Sequence, residues 1–179
     1  MAIPDTLQAW RDYVADEPTE PPRLTPTELA ALSPTEKAQY DDDRVAFLDG
    51  NIILSTPDTD SIDLNARLLV GSLASKKFTA RPGLAVSGQS TLGKSTATMW
   101  VAKKHEQRMR ERTGRDNAPA FAPVVYIPTP AGTTPKGMMA AFCHWLGLPM
   151  HRTSTAQELT EQVITVLREL GTSMVLVDE

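Results

Sequence analysis

The chain contains very little cysteine and no long apolar run, and both absences exclude classes of protein. Cys143 is the single cysteine among 179 residues, which excludes an internal disulfide and suits a reducing compartment. No segment approaches the roughly 18 consecutive apolar residues of a membrane-spanning helix, and residues 1–10 lack the basic start and apolar centre of a signal peptide. We therefore expect a cytoplasmic protein that makes no contact with a membrane, with Cys143 as a buried structural thiol.

A strong excess of charge of one sign is also absent. The 18 Lys and Arg residues are nearly balanced by 22 Asp and Glu residues, which gives a net charge of −4. Composition alone therefore does not indicate a nucleic-acid-binding protein. The histidines, His105, His144 and His151, are not spaced as metal ligands and are expected to be structural or surface residues. The hydrophobic content of 41% is sufficient for a core, and the length allows one domain with appendages.

The most specific feature that is present is the segment 88–95, GQSTLGKS, which matches the phosphate-binding loop G-x-x-x-x-G-K-[ST] of NTPases. Its glycines let the backbone N–H groups approach a phosphate, and the N-terminus of the following helix attracts the same anion. Lys94 can reach the outer phosphates and is a catalytic candidate, whereas Ser95 can offer its hydroxyl to Mg²⁺. The predicted nucleotide contacts are Gly88, Gln89, Ser90, Thr91, Leu92, Gly93, Lys94, Ser95 and Thr96.

The residues on either side of this loop have the expected character. The apolar run 84–87 predicts a strand that enters the loop, and residues 96–112, which contain neither Gly nor Pro, predict the helix that leaves it. Strand, loop and helix is the order that phosphate binding by this motif requires. The alternative, an ordinary glycine-containing turn between a strand and a helix, is less consistent with the full pattern.

A second acidic motif lies at the end of the sequence. Residues 174–177 are apolar and predict a buried strand, and Asp178 and Glu179 follow directly. In P-loop NTPases an aspartate at this position helps to hold Mg²⁺, so Asp178 is the predicted metal ligand together with Ser95. Glu179 is the predicted catalytic base that activates the attacking water. The alternative is a buried strand that leaves the core through solvated charges.

The pattern along the chain predicts three regions. Residues 1–33 are rich in proline and acidic residues and predict a mobile arm. Residues 34–80 predict a helical lead-in, because Ser33 and Thr56 each precede a proline and Ser33 begins a capping box with Glu36. Thr25 and Glu28 form the same pattern just before this region. The acidic run Asp41–Asp43 is expected to be a solvated helix face rather than a metal site. Residues 81–179 predict the N-terminal part of a P-loop ATPase core.

Within that core, strands alternate with helices. Residues 123–127 predict a strand, residues 134–146 and 156–170 predict amphipathic helices, and the strand ending at Asp178 follows. Such alternation predicts parallel strands whose carboxyl ends form the ligand-binding edge. The predicted fold class is α/β, an incomplete AAA+-like parallel sheet of the P-loop NTPase type with a helical N-terminal lead-in.

Residues 84–179 resemble the ATPase core of the TniB- and TnsC-type transposition regulators of the AAA+ class. The resemblance rests on the phosphate loop, on Lys104-His105-Glu106, on Val124–Pro128 with its Thr/Pro-rich turn, and on Val175–Glu179. It implies binding of ATP with Mg²⁺, homo-oligomerisation into a ring or filament on DNA, and contact with a transposase. It also implies a sensor strand, an arginine finger and a helical lid beyond Glu179. We therefore expect the sequence to be part of a longer domain, with negligible ATP turnover by itself.

Basic residues cluster towards the end of the helix that follows the loop, and two explanations compete for them. They either stabilise and solvate the C-terminal end of the helix or form a patch that contacts DNA. The cluster comprises Lys103, Lys104, Arg108, Arg110, Arg112 and Arg115.

Two functional hypotheses follow from the sequence as a whole. The first is an ATP-dependent switch in DNA transposition, and the second is a non-catalytic interaction module. A GTPase is less favoured, because no D-x-x-G or N-K-x-D motif is present.

Overall fold

The structure, a computed structural model, describes residues 3–50, 52–73, 81–116 and 118–178. The chain separates into two units, one comprising Ala15–Leu54 and the other Ala2–Val14 with Ser55–Glu179. In the described part of the chain, no helix is both long and apolar enough to cross a membrane. In chain order the elements are α1 Leu7–Ala15, α2 Pro26–Ala31, α3 Pro34–Asp49, α4 Pro57–Leu73, α5 Lys94–Thr113, β1 Val124–Pro128, α6 Pro135–Leu146, α7 Ala156–Glu169 and β2 Met174–Asp178.

Local capping chemistry determines where the helices of the smaller unit begin. The Thr25 backbone N–H donates to Glu28 Oε2 at 2.7 Å, and the Ser33 backbone N–H donates to Glu36 Oε2 at 2.9 Å. Each carboxylate thereby satisfies an N–H group that has no partner within its helix. Both predicted capping boxes are confirmed. Neither α2 nor α3 contains a buried residue, so these helices depend on local interactions.

Two parallel strands form the centre of the larger unit. Tyr126 of β1 pairs with Leu176 of β2, and Pro128 pairs with Asp178, which confirms the predicted parallel pairing. The chain passes from β1 to β2 through α6 and α7, as a parallel connection requires. Helix α5 contacts both strands, and α6 contacts β1 and α7. Because both strands end at the same edge, Asp178 lies at the carboxyl edge of the sheet, which is where parallel sheets generally bind ligands.

The strand predicted at residues 84–87 is not formed. Within the described residues, only β1 and β2 are paired as strands, and Leu84 is 45% exposed. An apolar run becomes a strand only when a neighbouring strand satisfies its N–H and C=O groups. No neighbouring strand pairs with these residues in the part of the chain that the structure describes.

A helix also replaces part of the arm expected over residues 1–33. In α1, Trp10 is fully buried and Val14 is nearly so. The Trp10 indole Nε1–H donates to Glu106 Oε2 at 2.6 Å, and Pro4 O accepts a bond from Trp145 Nε1 at 3.3 Å. The apolar spacing of Leu7, Trp10 and Val14 is that of an amphipathic helix. This spacing indicates a helix, but the proline-rich composition of the residues that follow led to the prediction of a mobile arm instead.

His105 of α5 is buried against the beginning of β2. Its Nε2 atom lies 2.8 Å from Ser173 Oγ, and the residue is 4% exposed. Burial lowers the pKa of His105 from 6.5 to about 4, with a further lowering by the charge of Arg108. The imidazole is therefore neutral in the folded protein at pH 7, and its burial agrees with a structural rather than a surface position.

This pKa predicts that acid destabilises the protein through His105. The unfolded chain takes up a proton near pH 6.5 and the folded protein only near pH 4. The stabilisation is therefore complete above pH 6.5 and is lost as the pH falls from 6.5 to 4, by about 1 kcal/mol per pH unit. Urea unfolding at pH 7, 6 and 5 should show a smaller loss for His105→Gln, which retains a polar group near Ser173 but does not titrate. His144→Gln, at an exposed position of α6, is the control, and equal losses in all three proteins would contradict the prediction.

Candidate nucleotide and magnesium site

The loop of residues 88–95 bends through two residues with left-handed backbone conformation. Gly93 has a φ of 75° and is the N-cap of α5, which begins at Lys94. Thr91 has a φ of 70°, a conformation that is strained for a β-branched residue. Such strain is concentrated at ligand-binding sites, and left-handed residues occur in the concave loops whose N–H groups bind anions. The loop therefore has the conformational character of an anion-binding segment.

The Lys94 side chain folds back over this loop. Its Nζ donates to Gly88 O at 2.9 Å and to Gln89 O at 3.0 Å. Both acceptors are neutral carbonyls, so the ammonium has no counter-charge in these contacts. A phosphate group could replace them with stronger charge-assisted hydrogen bonds. Lys94 and the N-terminus of α5 thus both supply positive potential to the loop.

The two sequence motifs meet at Ser95 and Asp178. Ser95 Oγ donates to Asp178 Oδ1 at 3.0 Å, although the residues are 83 positions apart. The contact joins the first turn of α5 to the carboxyl end of β2. The phosphate loop and the acidic strand therefore converge at the same edge of the sheet.

A third residue, Tyr126, completes this arrangement. Its hydroxyl donates to Asp178 Oδ2 at 2.8 Å, so both carboxylate oxygens of Asp178 accept a hydrogen bond. Sequence reasoning did not identify Tyr126, because it lies within an apolar strand and belongs to no spacing pattern. The only sequence signal was a polar hydroxyl inside an apolar strand, since buried hydroxyls need partners.

The donor set at this edge suits Mg²⁺. A hydroxyl and a carboxylate are hard oxygen ligands, and Mg²⁺ is commonly bound by few protein oxygens together with phosphate and water. Ser95 is exposed and Asp178 is half-buried, so phosphate and water can reach both. In the described ranges, this edge included, no three His, Cys, Asp or Glu residues form a metal-binding group, so the site would rely on phosphate and water for its other ligands. Asp41–Asp43 are exposed on α3, in agreement with a solvated helix face.

Most of the other residues predicted to contact the nucleotide are exposed to solvent. Ser90, Thr91 and Leu92 are exposed in the loop, and Thr96 is exposed in the first turn of α5. Glu179, the predicted catalytic base, lies outside the described residues.

An open groove of about 650 Å³ adjoins the site but does not include the phosphate loop. It shares Asp178 with the site and is otherwise lined by the turn after β1, by Met138 and by Val177. The groove therefore lies along the carboxyl edge of the sheet, on the side of Asp178 away from the loop.

Most basic side chains of the cluster at and after the end of α5 are engaged within the fold. Each of five of them contacts a backbone oxygen, a carboxylate or an aromatic ring, either within α5 or on a neighbouring segment. These contacts agree with a structural role for the cluster and do not test the alternative, a patch that contacts DNA. The contacts are Lys103 Nζ to Tyr13 O at 3.0 Å, Lys104 over the Trp100 ring at 3.8 Å, Arg108 to Asp63 at 2.8 Å, Arg110 to Glu106 at 2.7 Å and Arg115 over the Phe121 ring at 5.3 Å.

P-loop NTPases have a phosphate loop at the start of a helix and an aspartate at the end of a parallel strand that faces it. The same arrangement is present here. The family described as bacterial TniB protein matches residues 46–179. The chain therefore belongs to the TniB family of P-loop AAA+ transposition regulators, which confirms the resemblance seen in the sequence. Helices α1 and α2 precede the matched residues. Neither a search of curated proteins nor a search of solved structures found a match.

Proposed function

We propose that this protein is an ATP-binding switch that regulates DNA transposition and binds DNA in its ATP-bound state. The observation that carries the nucleotide part is the 3.0 Å contact between Ser95 Oγ and Asp178 Oδ1. It brings together the two motifs from which P-loop proteins build their phosphate and magnesium site. Membership of the TniB family supports the part of the proposal that concerns transposition.

In this proposal each residue of the site has a separate role. Lys94 and the backbone of the loop bind the phosphates, and Ser95 and Asp178 hold Mg²⁺. When bound, Mg²⁺ supplies positive charge that offsets the charge on the phosphates during transfer. Glu179 orients the attacking water and accepts its proton. Residues 81–179 thus supply every contact with the nucleotide that we propose.

Equilibrium binding of Mg-ATP and Mg-GTP tests this proposal directly. We expect Mg-ATP to bind with micromolar or tighter affinity and Mg-GTP to bind more weakly. Association with duplex DNA should then be measured with ATP, with ADP and without nucleotide, and only ATP should promote it. Failure of a folded sample to bind either nucleotide would contradict the assignment of the site. Nucleotide binding without any effect on DNA would restrict the proposal to nucleotide binding.

A second candidate function is an interaction module that does not depend on nucleotide. The observation in its favour is the smaller unit, in which α2 and α3 have no buried residue. Residues 15–54 carry nine carboxylates against three basic side chains, and Val45 and Leu48 are exposed on α3. Under this hypothesis, partner capture would be the same for the unaltered protein and for Lys94→Ala. Capture that requires Lys94 would favour the nucleotide switch.

A further inference from the structure

Tyr126 occupies an unusual position relative to the acidic motif. Its hydroxyl donates to Asp178 Oδ2 at 2.8 Å, while Ser95 Oγ donates to Oδ1 of the same carboxylate. The register of the sheet pairs Tyr126 with Leu176, two residues before Asp178. Side chains two residues apart on a strand point to the same face. The hydroxyl therefore reaches the carboxylate diagonally across the face of the two strands.

The surrounding residues hold the Tyr126 ring in place. The residue is 1% exposed, and its ring is stacked on Trp10 with centroids 5.9 Å apart and planes inclined by 10°. Trp10 is fixed in turn by its hydrogen bond to Glu106. A buried ring that is stacked on a second anchored ring has little rotational freedom. The position of the hydroxyl is thus determined by packing and not by Asp178 alone.

The hydroxyl is also a permanent donor. A tyrosine hydroxyl carries its proton at neutral pH and can therefore donate a hydrogen bond to a carboxylate. Because it donates its proton to Oδ2, that oxygen is already engaged, and Oδ1 is the oxygen directed towards Ser95.

We propose that Tyr126 is a positioning residue that orients the Asp178 carboxylate for Mg²⁺. The inference rests on the proposed function, because it takes Asp178 as the magnesium ligand. A carboxylate at the end of a strand can rotate about its terminal bond, and a fixed hydrogen bond restricts that rotation. Residues that orient a metal ligand in this way typically change metal affinity about 10- to 100-fold when they are replaced. Tyr126 thereby links α1, which precedes the family-matched residues, to the magnesium site through Trp10.

The Tyr126→Phe variant isolates this role. It retains the ring that stacks on Trp10 and removes only the hydroxyl, so the variant is expected to fold. The measurement is the affinity for the fluorescent analogue N-methylanthraniloyl-ATP, titrated with MgCl₂ and repeated in EDTA. We expect the Mg²⁺ concentration for half-maximal enhancement of binding to rise about 10-fold, with unchanged affinity in EDTA. Tyr40→Phe, on α3 of the other unit, is the matched control and should behave like the unaltered protein.

Three other outcomes are informative. An unchanged Mg²⁺ requirement in Tyr126→Phe would overturn the positioning role while leaving the proposed function intact. An equal loss of affinity with Mg²⁺ and with EDTA would also overturn it, because a purely structural defect would not distinguish the two conditions. If the unaltered protein shows no Mg²⁺-dependent binding, the proposed function fails first, and the inference that rests on it fails with it.

A coupling measurement adds a second test. In an Asp178→Ala background, Tyr126→Phe should cause no further change in the Mg²⁺ requirement, because the carboxylate that it orients is gone. A 10-fold effect that persists without Asp178 would overturn the proposal.

Discussion

Replacement of Lys94 by alanine should weaken Mg-ATP binding about 100-fold, which corresponds to about 2.7 kcal/mol. In the structure the Lys94 ammonium contacts the carbonyls of Gly88 and Gln89. These contacts place the charge directly over the loop in which the phosphates are proposed to bind. Hydrogen bonds between a charged donor and a charged acceptor are about twice as strong as neutral ones. Loss of the side chain therefore removes the main positive charge from the loop.

The same change should have little effect on folding. Lys94 lies at the first position of α5 and is only half-buried. Its two hydrogen bonds close the loop onto itself and do not join separate elements. We expect the free energy of unfolding to change by less than about 0.5 kcal/mol, as at most surface positions. A loss of nucleotide binding can then be attributed to the site and not to the fold.

Isothermal titration calorimetry with Mg-ATP measures the affinity, and circular dichroism during urea unfolding measures the stability. The matched control is Lys37→Ala, which removes the same side chain from an exposed position of α3. Lys37→Ala should bind Mg-ATP like the unaltered protein. Equal affinities for Lys94→Ala and the unaltered protein would contradict the assignment of residues 88–95 as a phosphate loop.

Most of the fold that was predicted correctly depends on interactions between residues that are close together in the sequence. Capping boxes at Thr25 and Ser33 require only residues three positions apart. The bounds of α6 and α7 follow from apolar periodicity, with Gly147 in the left-handed region just after α6. The sequence also predicted that the phosphate loop and Asp178 converge, on the assumption that residues 84–87 and 174–177 are both strands with carboxyl ends at one edge. Ser95 and Asp178 do meet, but among the described residues the strand at 84–87 is not formed.

The parts that were missed depend on contacts between distant positions. Trp10 reaches Glu106 across 96 positions, and Tyr126 reaches Asp178 across 52. No spacing rule identifies such pairs in a single sequence. Residues 84–87 show the opposite error, a strand that was predicted and is not formed. Their apolar character led to the prediction, but apolar character alone does not make a segment form a strand. Strand formation depends on a pairing partner elsewhere in the chain, which local composition cannot reveal.

The other large effect that we expect concerns Glu106, the centre of a buried polar network. Glu106 is 1% exposed. Its Oε2 accepts a bond from Trp10 Nε1 at 2.6 Å, and its Oε1 accepts from Arg110 Nε at 2.9 Å and from Nη2 at 2.7 Å. Arg110 Nη2 also donates to Phe121 O at 3.0 Å. The Glu106 carboxylate thus joins α1 to α5, and Arg110 extends the network to the segment before β1.

Replacement of Glu106 by alanine should destabilise the protein by about 3–5 kcal/mol. The change leaves the Arg110 guanidinium, whose side chain is only 13% exposed, without its counter-ion. It also leaves the Trp10 N–H without its acceptor. A loss of this size is a large part of the stability of a small domain, which is about 5–15 kcal/mol. Urea unfolding at pH 7 gives the value, and Glu111→Ala, on an exposed position of the same helix, should change it by less than about 0.5 kcal/mol.

A double variant separates the net contribution of the ion pair to the free energy of unfolding from the cost of leaving one of its charges buried and unpaired. Buried ion pairs contribute little relative to apolar residues of similar size, because desolvation offsets their attraction. Glu106→Leu combined with Arg110→Met should therefore be more stable than the sum of the two single changes predicts, by about 2 kcal/mol. The recovery should be incomplete, because the Trp10 N–H still lacks its acceptor and Phe121 O loses its donor. Strict additivity of the single changes would show that Glu106 acts mainly through Trp10. The main role of the network would then be to hold Trp10 of α1 against Tyr126 and not to pair two charges.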